Sequence, residues 1–147
     1  DSWINRVNIG DSIITLNDDG TFRIELTIDK PNFYTLAHEN EKEEVFVSPN
    51  DSIYIDFGAE TLHSGKGAKE NNHLRRMRVM INNNRRHING LEFYNQSSAY
   101  VNSVLDSLEV VYKNAHQEFK DKNSIDPILD NRILADINYG EKRSGQL

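Results

Sequence analysis

Two glycines, Gly65 and Gly67, mark a change of hydrophobic period in this chain of 147 residues. Before them, short runs of apolar and β-branched residues alternate with polar ones, and turn-forming residues separate the runs, which is typical of strands. After them, no glycine or proline occurs until Gly90, and apolar residues recur at helical spacing. The sequence therefore predicts an α+β fold in which β-structure precedes helices.

The β half, assigned to residues 1–64, is predicted to be an antiparallel β-sandwich or barrel of six or seven short strands. Its clearest alternation lies in residues 22–28, and the turn signal in residues 17–20 predicts a hairpin that pairs this stretch with residues 12–16. Residues 38–44 are predicted to form a polar, acidic hairpin tip. The other predicted strands are residues 3–9, 33–37, 45–47, 53–57 and 61–63. The expected core of the sheet consists of Phe22, Ile24, Leu26, Ile28, Ile53, Ile55 and Phe57.

Residues 65–147 are predicted to form a helical connector region of about three helices. The first begins at Ala68, and the second spans residues 99–120 after a cap at Ser97 or Ser98. The third is capped by Asp126 and begins at Pro127. We expect the second helix to bury an apolar stripe whose members lie at i, i+3, i+4 and i+7 spacing. That stripe consists of Val101, Val104, Leu105, Leu108, Val111, Tyr112, Ala115 and Phe119. In the first helix the predicted apolar face consists of Leu74, Met77, Ile81 and Ile88, and in the third helix it consists of Leu129, Ile133 and Ile137.

Charge is unevenly distributed along the chain. The net charge is −6, yet residues 1–64 carry 4 basic and 13 acidic residues, whereas residues 65–95 carry 7 basic and 2 acidic ones. Such asymmetry indicates that the two segments attract each other or that one of them faces a charged partner. The chain has no cysteine, which excludes a disulfide, a thiolate metal site and a cysteine nucleophile within these residues.

The basic segment offers candidate contacts for an anion or a partner at Lys66, Lys69, Arg75 and Arg76. A helix start with free backbone amides and lysines favours anions, although the phosphate-loop pattern is absent. Nucleic-acid binding is disfavoured, because the chain is acidic and no aromatic residues are interleaved with the arginines. The glycines are better explained as the bend that turns the chain from strand to helix.

Metal and acid–base sites are weakly indicated. The histidines, which are His38, His63, His73, His87 and His116, include no i, i+4 pair, although His63 and His73 flank the glycines and can approach each other. The acidic tip contains Glu41 and Glu43, which have the chemistry of a general acid or base but no sign of a raised pKa. We therefore expect no cofactor, no metal and no catalytic residue in this segment.

The stretch around the glycines also resembles a known family. SPNDSI at residues 48–53 and SGKGAKENNHL at residues 64–74 resemble the N-terminal domain of TlpA-like thiol-disulfide oxidoreductase lipoproteins of Bacteroidetes, which have a PGDSI turn and a GKGA…N-x-L helix start. The resemblance covers about residues 10–140 and departs from the family at Asn50, where glycine is usual. Further similar segments are residues 18–22, 31–34 and 135–139, which resemble the family's DG-x-F hairpin, P-x-FY strand and third-helix end.

This resemblance implies that a thioredoxin-like domain with a C-x-x-C motif follows and carries the redox chemistry. The chain is then a non-catalytic accessory domain of a lipid-anchored protein in the periplasm or cell envelope. Its implied partners are that redox domain and protein substrates, with no nucleic acid, and with the membrane only through an anchor outside this segment. The alternative is a stand-alone extracytoplasmic binding module for glycan or peptide, favoured if Trp3, Tyr34 and Tyr54 are exposed on one face.

Overall fold

The computed structural model describes the backbone of residues 6–9, 12–57, 61–88, 93 and 95–145. The chain divides into two compact units, Asp1–Asn71 and Asn72–Leu147. Short antiparallel strands come first and three helices follow, which confirms the α+β prediction. The boundary predicted between residues 64 and 65 falls inside the last strand, Leu62–Lys66. Trp3 and Gly90 lie outside the described residues.

The strands of the first unit form two small antiparallel sheets. One has four strands in the order β2-β1-β3-β4 and the other is the pair β5-β6. The strands are β1 (Arg6–Ile9), β2 (Ser12–Thr15), β3 (Asn32–His38), β4 (Glu41–Val47), β5 (Ser52–Asp56) and β6 (Leu62–Lys66). The β3–β4 ladder runs from Asn32 opposite Val47 to His38 opposite Glu41. The pairing of the described strands shows neither a sandwich nor a barrel.

Residues 22–28 do not form the strand that their alternation predicts, and their hairpin with residues 12–16 is also wrong. The predicted turn is present, because the Asn17 N–H donates to the Thr21 carbonyl oxygen at 2.8 Å. Phe22 and Ile24 still pack against the core of the first unit. An alternating pattern specifies which side chains face a core, and an extended segment meets that requirement without a ladder partner.

The core of the first unit centres on β3 and β4. Leu36 and Val45 are each 3% exposed, and Phe46, on the opposite face of β4, is 1% exposed. The expected core residues on β5, Ile53 and Ile55, are half-buried against Leu36 and Val45 rather than central. Leu26 is 37% exposed, so its expected place in the core is wrong. Sequence alternation identified the inward faces but not which strands occupy the middle.

The helices follow the sequence closely. They are α1 (Ala68–Ile88), α2 (Ser98–Lys122) and α3 (Pro127–Gly145). The Ser97 hydroxyl accepts from the Tyr100 N–H at 3.2 Å, and an Asp126 carboxylate oxygen accepts from the Ile128 N–H at 2.8 Å. Both caps are those that the sequence predicts, because these side chains satisfy amides that have no partner inside the helix.

In the second unit, the described members of the predicted apolar faces are buried or half-buried with one exception, and the side chain of Ile88 lies outside the described residues. Leu129, Ile133 and Ile137 of α3 are 0–1% exposed, and α2 buries Leu105 and Tyr112. The exception is Val111, which is 51% exposed, whereas the unpredicted His116 is buried. The buried face of α2 is therefore centred on Leu105, Tyr112 and His116, and Val111 lies outside it. In the part of the chain that the structure describes, no helix is long and apolar enough to cross a membrane.

Candidate functional site

The first candidate is a buried contact at the start of α1, which we call the Asn71 junction. It consists of the Asn71 side chain, the backbone of Phe46 and the carbonyl of Gly67. The Asn71 Oδ1 accepts from the Phe46 N–H at 2.7 Å, and Nδ2 donates to the carbonyl oxygens of Phe46 and Gly67, each at 2.8 Å. Asn71 is 1% exposed, so its amide is committed to the fold of the first unit.

The Asn71 junction closes an open edge of the four-stranded sheet. Strand β4 is last in the sheet order, and Phe46 lies opposite Phe33 on β3. Because the Phe46 N–H and C=O both bond Asn71, they point away from β3, as they do in a non-hydrogen-bonded antiparallel pair. A side-chain amide presents one acceptor and two donors, so it replaces a neighbouring strand at this position.

The turn before β5, at residues 48–51, is held by hydrogen bonds of its own backbone and side chains. Asn50 has a φ of 69°, in the left-handed region where glycine and asparagine are favoured. The turn is held by the Asp51 N–H, which donates to the Ser48 carbonyl at 3.1 Å, and by the Ser48 N–H, which donates to the Asp51 carboxylate at 2.9 Å. Asparagine at position 50 is therefore a residue that tolerates the conformation of this turn.

The second candidate is a buried polar chain in the second unit, the His73 relay, made of His73, His116, Asp130 and Lys120. His73 Nε2 lies 2.9 Å from His116 Nδ1, and His116 Nε2 lies 2.6 Å from Asp130 Oδ1. The other carboxylate oxygen of Asp130 accepts from Lys120 Nζ at 3.0 Å. His73 and His116 are 4% and 2% exposed. The relay thus connects α1, α2 and α3 through side chains that are mostly removed from water.

The surroundings of the His73 relay favour a neutral ring at one end and a charged carboxylate at the other. Burial, and after it the charges of His116 and Arg76, lower the pKa of His73 from 6.5 to about 4. Its ring also stacks on Phe119, with centroids 3.9 Å apart and planes 4° from parallel. Burial alone would raise the pKa of Asp130, but hydrogen bonds from His116 and Lys120 outweigh it and hold that pKa below its ordinary value.

The predicted acidic tip is wrong, because residues 41–44 belong to β4. Only Glu39 and Asn40 form the turn, and Glu43 is 3% exposed. Its carboxylate lies 3.6 Å from Nε2 of His63, whose side chain is fully buried. Glu43 lies opposite Leu36 in the β3–β4 register, so its side chain is on the same, inner face of the sheet as the side chain of Leu36. Glu43 and His63 thus form a buried pair, from which removal of one partner alone is costly.

The histidines predicted to flank the glycines acquire separate partners. His63 lies beside Glu43 in the first unit, and His73 lies beside His116 in the second. Within the described ranges, no group of three or more histidine, cysteine or acidic side chains is placed to hold a metal ion. Asp19, in the turn at residues 17–20, accepts from the Thr21 hydroxyl and N–H, and these bonds lower its pKa.

The predicted anion or partner contacts fall on both units. Lys66 and Lys69 are exposed residues of the first unit, at the end of β6 and in the first turn of α1. In the second unit, Arg76 is exposed and Arg75 is half-buried. That the four residues serve one partner stays a prediction. Among the aromatic residues proposed to bind a ligand, Tyr54 is 69% exposed and Tyr34 is half-buried.

Sequence reasoning missed His116 and Asp130, although a signal for each was present. His116 lies four residues after Tyr112 and eleven after Leu105, so helical spacing places it on the buried face of α2. Asp130 follows the fully buried Leu129 in the first turn of α3. A histidine on an apolar helix face requires a polar partner when it is buried, and the sequence cannot say which residue supplies it.

No protein-family model matches the sequence, and no curated protein and no solved structure matches it either. Membership of the family that the sequence resembles therefore stays a prediction.

Proposed function

We propose that this chain is a non-catalytic accessory domain of a lipid-anchored, extracytoplasmic thiol-disulfide oxidoreductase of the TlpA-like, thioredoxin-like kind. In this proposal the domain binds a partner or substrate, or orients the redox domain, and the disulfide chemistry belongs to a C-x-x-C domain of the same protein. The supporting observation is the Asn71 junction, because the asparagine of the family-like helix start has all its hydrogen bonds inside the fold.

The turn at residues 48–51 supports the same proposal. A family that places glycine at the third position of this turn needs a residue that tolerates positive φ, and Asn50 has a φ of 69°. The one departure from the family pattern is thus conservative in backbone geometry. Residues of both family-like segments make hydrogen bonds that hold the first unit together, as expected of an accessory domain whose sequence preserves a fold.

The finer architecture belongs to the proposal as well. Ile53 and Ile55 of β5 pack against the cluster around Leu36 and Val45 of the larger sheet. Packing of one sheet's apolar face on another is the principle of a β-sandwich. We infer that the first unit is a small sandwich in which the β5–β6 pair covers the four-stranded sheet.

The gene on either side of the 147 codons tests the proposal directly. It is expected to encode a lipid-modified cysteine upstream and a C-x-x-C motif downstream. A stop codon shortly after codon 147, with no C-x-x-C motif in the same reading frame, would contradict the accessory role and leave the chain a protein on its own.

The alternative of a stand-alone binding module is favoured by one observation, the 69% exposure of Tyr54 between the half-buried Ile53 and Ile55. Exposed tyrosines stack on sugars and bury area at peptide interfaces. Glycan-array and peptide-library binding by the wild-type chain and by Tyr54→Ala tests this role. Binding that is lost in Tyr54→Ala supports it, and equal binding by both proteins, or none, counts against it.

A further inference from the structure

The His73 relay connects three helices of the second unit along one line of hydrogen bonds. His73 lies on α1, His116 and Lys120 on α2, and Asp130 on α3. Among the described residues, four charged or titratable groups act on His73 or belong to the relay beyond it: Arg76 on α1, His116 and Lys120 on α2, and Asp130 on α3. Three of these four are able to carry positive charge, so the site has little tolerance for additional protons.

The hydrogen atoms of the relay can be counted from its geometry. Asp130 is a carboxylate that accepts at 2.6 Å from His116 Nε2, so this nitrogen carries a hydrogen. If His116 is neutral, its Nδ1 is bare and accepts the hydrogen of His73 Nε2. If His116 is an imidazolium, Nδ1 donates and His73 Nε2 is the bare atom, with the His73 hydrogen on Nδ1. The 2.9 Å contact between the rings exists in both states with opposite direction.

We propose that the His73–His116 pair is a pH-sensitive switch, which takes up one proton by reversing its hydrogen bond and separates α1 from α2 when acid forces a second proton onto it. The first step is balanced. A proton binds His73 Nδ1, the hydrogen on His73 Nε2 passes to His116 Nδ1, and the pair gains one hydrogen and one positive charge. No helix has to move, because both nitrogens stay in place.

The second proton cannot be accommodated in the same geometry. With both rings doubly protonated, two N–H groups point at each other across 2.9 Å and no lone pair lies between them. Two positive rings that are 4% and 2% exposed then repel each other, with Arg76 and Lys120 close by. Charge without solvent or partner is strongly disfavoured in a protein interior. Release of the contact exposes the rings to water and removes the conflict.

The pH window follows from His73. Its folded-state pKa of about 4 is below its ordinary value of 6.5, so the unfolded chain binds the proton first as pH falls. The contribution of His73 to stability is therefore complete above pH 6.5 and is lost progressively between pH 6.5 and 4. Between pH 7 and pH 5 this linkage reduces the folding equilibrium constant about 20-fold. Asp130, whose pKa is lowered, loses its contribution only below its ordinary value of 3.8, outside this interval.

Urea unfolding of the whole chain, followed by circular dichroism at 222 nm at pH 7 and pH 5, tests the switch. His73→Gln is the variant of choice, because its amide can donate to His116 Nδ1 but does not titrate. In the wild type, the folding equilibrium constant is expected to fall about 20-fold between pH 7 and pH 5. In His73→Gln, most of this fall is expected to be absent. His38→Gln, which removes a histidine from β3 in the first unit, is the matched control and keeps the wild-type drop. A wild-type drop in His73→Gln would overturn the proposal.

Nuclear magnetic resonance of the wild-type protein keeps the proposal testable if His73→Gln does not fold. Long-range ¹H–¹⁵N spectra of the imidazole nitrogens report which ring atoms carry hydrogen, and nuclear Overhauser effects between the His73 and Phe119 rings report their stacking. The switch predicts that these effects disappear when both rings become doubly protonated. Persistence of the stacking with both rings doubly protonated would refute it.

Discussion

The side-chain amide of Asn71 makes three hydrogen bonds in the first unit, and Asn71→Ala removes it without adding bulk. The substitution deletes one acceptor and two donors, which serve the Phe46 N–H, the Phe46 carbonyl and the Gly67 carbonyl. Phe46 is 1% exposed, so water does not replace the lost partners unless the edge of β4 opens. We expect either opening of that edge or two buried backbone groups without partners.

The expected loss of stability follows from these groups. Each buried backbone group left without a partner costs about 1–3 kcal/mol, so the two groups of Phe46 together cost about 2–6 kcal/mol. Alanine is a better helix former than asparagine by about 0.5 kcal/mol, which reduces the cost slightly. The net loss is therefore about 2–5 kcal/mol, a large share of the roughly 5–15 kcal/mol that stabilises a typical domain.

Urea unfolding gives the change in free energy, and amide hydrogen exchange locates it. The Phe46 amide of the wild type is expected to be protected, and Asn71→Ala to reduce its protection more than that of Val45. Asn71→Asp is a sharper variant, because it keeps the shape and the acceptor but places a carboxylate beside the carbonyls of Phe46 and Gly67. It is expected to destabilise at least as much as alanine.

Asn83→Ala is the matched control, since Asn83 is an exposed asparagine of the same helix. It is expected to change stability by less than about 0.7 kcal/mol, in the stabilising direction. A loss of stability below about 1 kcal/mol in Asn71→Ala, together with unchanged amide exchange at Phe46, would refute the reasoning. Buried backbone groups that lose their hydrogen-bond partners are expected to destabilise the fold by more than this.

Three further predictions concern stability measured by thermal or urea unfolding. Gly65→Ala is expected to cost at least about 3 kcal/mol of stability, because Gly65 has a φ of 89° and an added β-carbon would meet a β5 carbonyl oxygen. Gly20→Ala is expected to cost only about 1–2 kcal/mol, because Gly20 has a φ of 81° but open space around the added β-carbon. Equal losses in the two variants would contradict this. Asn50→Ala is expected to cost about 1 kcal/mol and Asn50→Gly less than about 0.5 kcal/mol, and the reverse order would argue against the left-handed turn. Glu43→Leu and His63→Leu are each expected to cost about 3–5 kcal/mol and the double variant clearly less than their sum, so strict additivity would show that the buried pair is not coupled.

The helices could be predicted from patterns formed by residues that are close together in sequence. The caps at Ser97 and Asp126 and the apolar face of α3 depend on residues within one or two turns of each other, and the structure has them where the sequence predicts them. Such features are readable because the physics that produces them involves neighbours in sequence.

The errors came from contacts between distant residues. Residues 22–28 have a strand pattern but no ladder partner, since β1 and β3 supply the pairing inside the sheet. Glu43 was predicted to be solvated, because an acidic run gives no sign that one member lies opposite Leu36. The two candidate sites were not predicted for the same reason, since their members are far apart in sequence. Asn71 and Phe46 are 25 residues apart, and His73 and His116 are 43 apart.

The proposed accessory role is tested most directly by comparing the full-length gene product with a variant that lacks residues 1–147. Reduction of a small disulfide compound measures the redox centre alone, and reduction of a protein disulfide measures the centre together with its accessory domain. The account predicts an unchanged rate on the small compound and a loss of about tenfold or more in kcat/KM on the protein substrate. An equal loss on both substrates, or no loss on either, would contradict it.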